Sequence, residues 1–277
     1  VQRPHLPSHL LARTVVAAVS NGLMFSGLYP LLPHALLATS RRRRGRADRP
    51  GAVVQLRAAM REWSVAVATS AARPAGFWPL PGAHGRGPRP IVVVHGYAMN
   101  RANFVPLAWR LARAGLGPIV GFEYWTLGRT ARAARELGAF VDEVRARTGA
   151  AAVDVIGHSM GGVVGRYYVT LGGGDGVVAN LVTIGSPHRG TEVSAIGVGH
   201  PARELVRDSN LMTRLTLATP PAHTRTTVIW SRVDALVPGA RQARIDGAEE
   251  LVYDDLGHLS LLASRRVAEA IIARLGR

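Results

Sequence analysis

The chain has 277 residues, 47% of them hydrophobic, which suits one large α/β domain or two small ones and excludes a disordered composition. It contains no cysteine, so disulfides, thiolate metal sites and cysteine nucleophiles are ruled out. The formal net charge is +16 and all 34 basic residues are arginine; they are scattered apart from one run and accompany no nucleic-acid motif, so no nucleic-acid partner is expected.

Residues 10–39 carry a single charge, Arg13, and lead into the arginine-rich run RRRRGRADRPG at 41–51. An apolar stretch of this length before a basic cluster reads as a membrane anchor or an uncleaved signal. Asn21, Gly22, Pro30 and Pro33 interrupt it, so a shallow or hairpin insertion fits better than a spanning helix. The other reading is an apolar arm packed on the domain or on a second subunit. Residues 1–50 are therefore expected to form an arm and linker that contact a membrane surface, and 51–277 the main domain.

From 53 to 72, Val53, Leu56, Met60, Trp63 and Val67 recur at helical spacing and predict an amphipathic helix, ended by Pro74. Strands are then predicted at 91–95, 118–124, 153–156, 181–184, 227–230 and 250–253. Helices are predicted at 103–114, 129–147, 160–171 and 259–275, with Gly115, Gly149 and Gly172 to Gly174 as stops. Strands that are near-continuous apolar runs, separated by helices, imply a mostly parallel central sheet covered on both faces. No internal repeat is visible.

The stretch DVIGHSMGG, 154–162, carries the strongest chemical signal. Its core fits G-x-S-x-G, and the pattern has meaning only where a strand enters and a helix leaves. VDVIG supplies the strand and MGGVVGRYYVTL the helix. Ser159 then sits at a strained turn, His158 fills the variable position, and Gly157 and Gly161 omit side chains that would clash where strand and helix cross. The start of that helix offers free N–H groups to developing negative charge.

With IVVVHGY at 91–97, GHSMGG at 157–162 and GSPHRGT at 185–191, the chain resembles the α/β-hydrolase superfamily, and within it bacterial serine lipases and esterases of the triacylglycerol-lipase type. The resemblance covers roughly residues 90–277 and implies an α/β-hydrolase fold with a small lid insertion at about 188–225. It implies the order nucleophile, acid, histidine: Ser159, then Asp234 just past the strand TTVIWS, then His258 in the loop before the last helix. A serine hydroxyl needs a neutral imidazole to take its proton, and the carboxylate fixes the tautomer of that imidazole. Asp254, Asp255 and, more remotely, Glu123 are the rival acids. The implied oxyanion donors are the backbone N–H groups of Met160 and Tyr97, and the Tyr97 side chain either narrows the pocket or adds a contact. His95 is expected to be a packed, hydrogen-bonded neighbour of that turn.

The lid is expected to hold one helix at about 202–215, with Leu205, Leu211, Met212 and Leu215 serving partly as core and partly as the lining of an acyl site. His188 and His200 are expected to be structural or exposed. No cofactor and no metal site are expected, since no cluster of ligands is evident. The resulting expectation is a hydrolase of carboxylic esters with aliphatic acyl groups, working through an acyl-enzyme on an ester or lipid substrate. A thioesterase, polyesterase or phospholipase would share the same residues, and a non-catalytic membrane-attached scaffold is the alternative from another class. An epoxide hydrolase or dehalogenase would place aspartate at 159, which serine argues against.

Overall fold

The structure is a computed structural model that describes residues 50–276. The apolar arm and arginine run to Arg49 lie outside the described residues, so the membrane reading of that segment has no structural counterpart here. Six strands form one sheet: β1 (Ile91–Val94), β2 (Ile119–Phe122), β3 (Val153–His158), β4 (Val178–Ile184), β5 (Arg225–Ser231) and β6 (Glu249–Tyr253). Their order is β2-β1-β3-β4-β5-β6, and every neighbouring pair is parallel. All six expected strands are present, with ends displaced by up to three residues.

Side chains alternate across each strand, which explains why the strands read as unbroken apolar runs. Ile91 and Val93 of β1 enter one core, and Val92 and Val94 enter the other. The first core is closed by α2 (Val105–Arg113), α8 (His258–Ala263) and α9 (Arg265–Leu275) through Leu107, Leu111, Leu261, Val267 and Ile271. The second is closed by α3 (Thr130–Thr148) and α4 (Met160–Leu171) through Leu137, Val141, Val163 and Val164. Helix α3 ends at Gly149, whose φ of 71° supplies the left-handed cap anticipated for a glycine there.

Three helical expectations need correction. The helix expected at 103–114 opens as a 3-10 turn, Arg101–Phe104, before α2 begins, because Asn100 and Asn103 form a capping box around that turn. The terminal helix expected at 259–275 is two helices, α8 and α9, with extended backbone at Ser264 between them. The single lid helix expected at 202–215 is also two, α5 (Pro201–Glu204) and α6 (Asn210–Leu217). The break follows from Asp208 at φ 60° and from Ser209, whose Oγ accepts the Met212 N–H and starts a new helix. A short helix after β5, α7 (Ala240–Ala243), had no counterpart in the sequence reading.

The first described helix, α1 (Ala52–Ala71), runs where periodicity places it but faces the other way. Val53, Leu56 and Met60 are 62–63% exposed and Trp63 is 49% exposed, whereas Ala58, Glu62, Ala66, Thr69 and Ser70 are buried. Small side chains let α1 lie close against α8, with Ala66 packed on Leu259. The apolar stripe points outward.

Candidate functional site

A parallel sheet delivers all its strand ends to one edge, and the loops leaving the carboxyl ends of β1, β3, β4, β5 and β6 meet there. Ser159 follows β3 with φ 55° and ψ −127°, a conformation that costs a non-glycine residue energy and is retained only when its surroundings impose it. The surroundings are visible. The Ser159 N–H donates to the Ile184 carbonyl at 2.9 Å, and its own carbonyl accepts the Gly162 N–H at 3.0 Å. A Cβ on Gly161 would come within 2.1 Å of the Val94 carbonyl oxygen, and one on Gly157 within 2.4 Å of the Gly162 Cα. The crossing of strand and helix at this turn therefore has room only for glycine at 157 and 161.

Asp234 and His258 are brought together. The His258 Nδ1–H donates to Asp234 Oδ2 at 2.8 Å, both side chains being almost fully buried. The other oxygen, Oδ1, accepts the N–H groups of Leu236 at 2.8 Å and Val237 at 2.9 Å, so the carboxylate is held by its own loop as well as by the ring. Because Nδ1 carries the proton in this bond, Nε2 of a neutral His258 is the free base, and that atom is buried with no hydrogen-bond partner. Burial disfavours the charged ring, but the Asp234 charge and hydrogen bond, joined by the charge of Glu62, outweigh it and raise the His258 pKa above the ordinary histidine value. Gly185, at φ 57°, lies under the pair; a Cβ there would stand 3.2 Å from both Asp234 Oδ2 and His258 Nδ1.

His158, one residue before Ser159, ties the turn at Ser159 to His258. Its Nε2–H donates to the His258 carbonyl at 3.1 Å and its ring centroid is 4.7 Å from that of His258. Burial, with the nearby His258 charge, lowers its pKa to about 3, so it is neutral and acts as a fixed donor.

The three rival acids are engaged elsewhere. Asp254 pairs with Arg232, and Asp255 pairs with Arg266 and Arg61, on the surface. Glu123 accepts the Arg101 N–H at 2.8 Å and stands 3.2 Å from His95 Nε2. His95 is buried, stacked on Tyr124, with Nδ1 donating to the Gly96 carbonyl at 3.0 Å; it shapes the turn after β1, as anticipated.

That turn brings Gly96 against Ser159: a Cβ on Gly96 would lie 2.9 Å from Ser159 Cβ. Tyr97 follows. Its hydroxyl donates to the Val198 carbonyl and accepts the Val198 N–H, both at 3.0 Å, and so clips the 192–200 loop to the turn. Of the two roles open to the tyrosine side chain, the hydroxyl contact is the one observed. Met160 opens α4, where the first N–H groups of a helix have no carbonyl within it to bond.

The remaining insertion sends its larger apolar side chains into the core. Leu205, Leu211, Met212 and Leu215 are buried with Val163 and Tyr167, and Arg166 donates to the carbonyls of His188 and Leu215 at 3.0 and 2.7 Å. His188 is buried with its Nε2 2.9 Å from Thr183 Oγ1, and burial and the neighbouring Arg166 charge hold its pKa well below the usual value. His200 is exposed. No cluster of potential metal ligands occurs among the described residues.

One residue of the site had no signal in the sequence. Glu62 lies on α1, outside the stretch that carries the motifs, and a glutamate in an amphipathic helix ordinarily reads as solvent-facing. It is buried, and its carboxylate reaches the start of α8, next to His258.

Residues 52–251 match a family described as a domain of unknown function, DUF7379. The chain belongs to this family. Triacylglycerol lipases of Pseudarthrobacter phenanthrenivorans and Burkholderia plantarii are each 47% identical to this DUF7379 chain over 57 residues, which is 21% of it. That stretch spans 17% and 15% of the two relatives' own lengths. Among solved structures, the mature form of Bacillus licheniformis lipase BlEst2 superimposes with a TM-score of 0.55 at 16% identity, covering 68% of this chain and 91% of that one. Aspergillus fumigatus lipase B does so at 0.58 and 15% identity, covering 71% and 54%. An α/β-hydrolase fold protein from Burkholderia ambifaria does so at 0.50 and 17%, covering 72% and 92%. The DUF7379 chain thus has the α/β-hydrolase fold, with a six-stranded parallel sheet at its centre.

Proposed function

We propose that this protein is a serine hydrolase that cleaves carboxylic esters with aliphatic acyl groups, a lipase or carboxylesterase. The observation that carries the reading is the Asp234–His258 hydrogen bond at 2.8 Å, which leaves His258 Nε2 unpaired on the strand-end edge where Ser159 is strained. In this reading His258 Nε2 takes the Ser159 hydroxyl proton as Oγ attacks the ester carbonyl. The N–H groups of Met160 and Tyr97 receive the oxyanion. Collapse of the tetrahedral intermediate expels the alcohol, which takes the proton from His258 and leaves Ser159 acylated. Water then adds to the acyl-enzyme with His258 again as base, and the acid is released. Asp234 keeps the proton on Nδ1 throughout and stabilises the imidazolium.

The apolar segment 10–39 and the arginine run after it support contact with a membrane surface, where a lipid ester would be met. The outward stripe of α1, with exposed Phe77 and Trp78 after it, is consistent with the same placement.

The test is hydrolysis of p-nitrophenyl esters from acetyl to palmitoyl, with Ser159→Ala as the blank. Ser159-dependent turnover with a maximum at medium or long chains identifies a lipase; a maximum at acetyl or butyryl identifies a short-pocket esterase. Ser159→Ala should lower turnover by more than roughly a thousandfold in a folded protein. Rates indifferent to Ser159, together with no fluorophosphonate labelling, would overturn the reading.

A further inference from the structure

We propose that Glu62 is a positioning residue for His258: from α1 its carboxylate grips the first turn of α8 by the two backbone N–H groups that directly follow His258. The inference rests on the serine-hydrolase reading above, in which His258 is the base.

The geometry is specific. Glu62 Oε1 accepts the Leu259 N–H at 2.7 Å, and Oε2 accepts the Ser260 N–H at 2.9 Å. These are the two peptide groups that follow His258, and the first N–H groups of a helix have no partner within it. The side chain is 4% exposed. A carboxylate is costly to bury without compensation, and here both of its oxygens are met by backbone donors. Gly257 makes the approach possible: a Cβ at that position would lie 2.5 Å from Glu62 Oε2.

His258 is therefore held at three points from three elements. Asp234 takes its Nδ1–H, His158 donates to its carbonyl, and Glu62 takes the two N–H groups that follow. The charges around Glu62 are His258 on α8 and Asp234 after β5, with His158 of β3 across the His258 ring and the surface pair Arg61–Asp255 next along α1 and before α8. Burial raises the Glu62 pKa, while its two backbone bonds and the His258 charge pull the other way. Asp234 sets the tautomer of the ring, and Glu62 sets where the backbone places it. A merely architectural Glu62 would tie α1 to the domain and leave the ionisation of His258 untouched.

The experiment uses the full chain and the variants Glu62→Gln and Glu62→Asp. For each, kcat and KM on a short p-nitrophenyl ester are measured across pH, and the His258 ring is titrated by NMR. Glu62→Gln keeps the size but loses the charge and one acceptor. It should lower kcat about tenfold or more with KM little changed, and move both the acid limb of kcat/KM and the His258 titration to lower pH. Glu62→Asp keeps the charge on a shorter arm, so it should lower kcat while holding the acid limb nearer the wild-type position. Wild-type kcat, acid limb and His258 titration in folded Glu62→Gln would overturn the proposal. If Glu62→Gln does not fold, Gly257→Ala displaces the carboxylate without removing it, and an unchanged kcat there would overturn it too. A wild-type chain without Ser159-dependent turnover would instead sink the hydrolase reading, while the NMR titration of Glu62→Gln still decides whether Glu62 acts on His258.

Discussion

Asp234 differs from the aspartates at 254 and 255 in what its oxygens receive. Its partners are an imidazole N–H and two backbone N–H groups in a buried loop, whereas the other two are neutralised by arginines at the surface. Asp234→Asn should therefore lower kcat on the order of 10⁴-fold, since an amide opposite Nδ1 favours the wrong tautomer. Asp254→Asn and Asp255→Asn should leave kcat nearly unchanged; a reversed ranking in steady-state assays would reassign the acid. The raised His258 pKa also has a defined sign. Burial opposes the charged ring, but Asp234 and Glu62 prevail, so the free base is lost at a higher pH than for an ordinary histidine. The acid limb of kcat/KM should lie above about pH 6.5. A group raised in this way stabilises the fold below its unfolded pKa, and that contribution fades as pH rises through the folded value. The turn at Ser159 was legible because it needs glycine two residues before and two residues after the strained position. Glu62 was not, because its role arises from a contact 197 positions along the chain.

Among the elements, periodicity located helices well and their ends and orientation poorly. Helix α1 has a stripe of Val53, Leu56, Met60 and Trp63, yet its buried face is made of alanines, hydroxyl residues and Glu62. An apolar stripe marks a face without saying what covers it, and close packing on α8 favoured the smaller side chains. The insertion after β4 reads as one helix by spacing, but a serine at 209 and positive φ at Asp208 divide it. Ser209 Oγ both caps Met212 and donates to the Glu204 carbonyl, so the residue links α5 to α6. Ser209→Ala should cost about 1 kcal/mol of stability, read as a lower urea midpoint at unchanged m. No shift of the midpoint would mean that core packing by Leu211, Met212 and Leu215 holds α6 without its cap.

On the scale of the whole molecule, the parallel order β2-β1-β3-β4-β5-β6 gathers Gly96, Ser159, Gly185, Asp234 and His258 from strand ends spread over more than half of the chain. No described helix is long and apolar enough to cross a membrane. On the membrane reading of the apolar arm, deleting residues 1–49 should weaken binding to anionic liposomes while sparing hydrolysis of a short soluble ester, as read by co-sedimentation and p-nitrophenyl acetate turnover. Unchanged sedimentation would remove the arm from the membrane proposal. The sequence by itself determined the strand–helix alternation, the parallel sheet and the glycine-flanked turn at Ser159, because local chemistry dictates each of them: apolar runs for strands buried on both faces, glycine where a Cβ has no space. That Asp234 and His258 would meet was expected through resemblance. Only the tertiary structure decided which acid meets His258, which nitrogen of that ring stays free, which face of α1 turns inward, and that a glutamate from outside the motif region grips the histidine loop. These are distances between residues far apart in the chain, and a one-dimensional pattern carries no term for them.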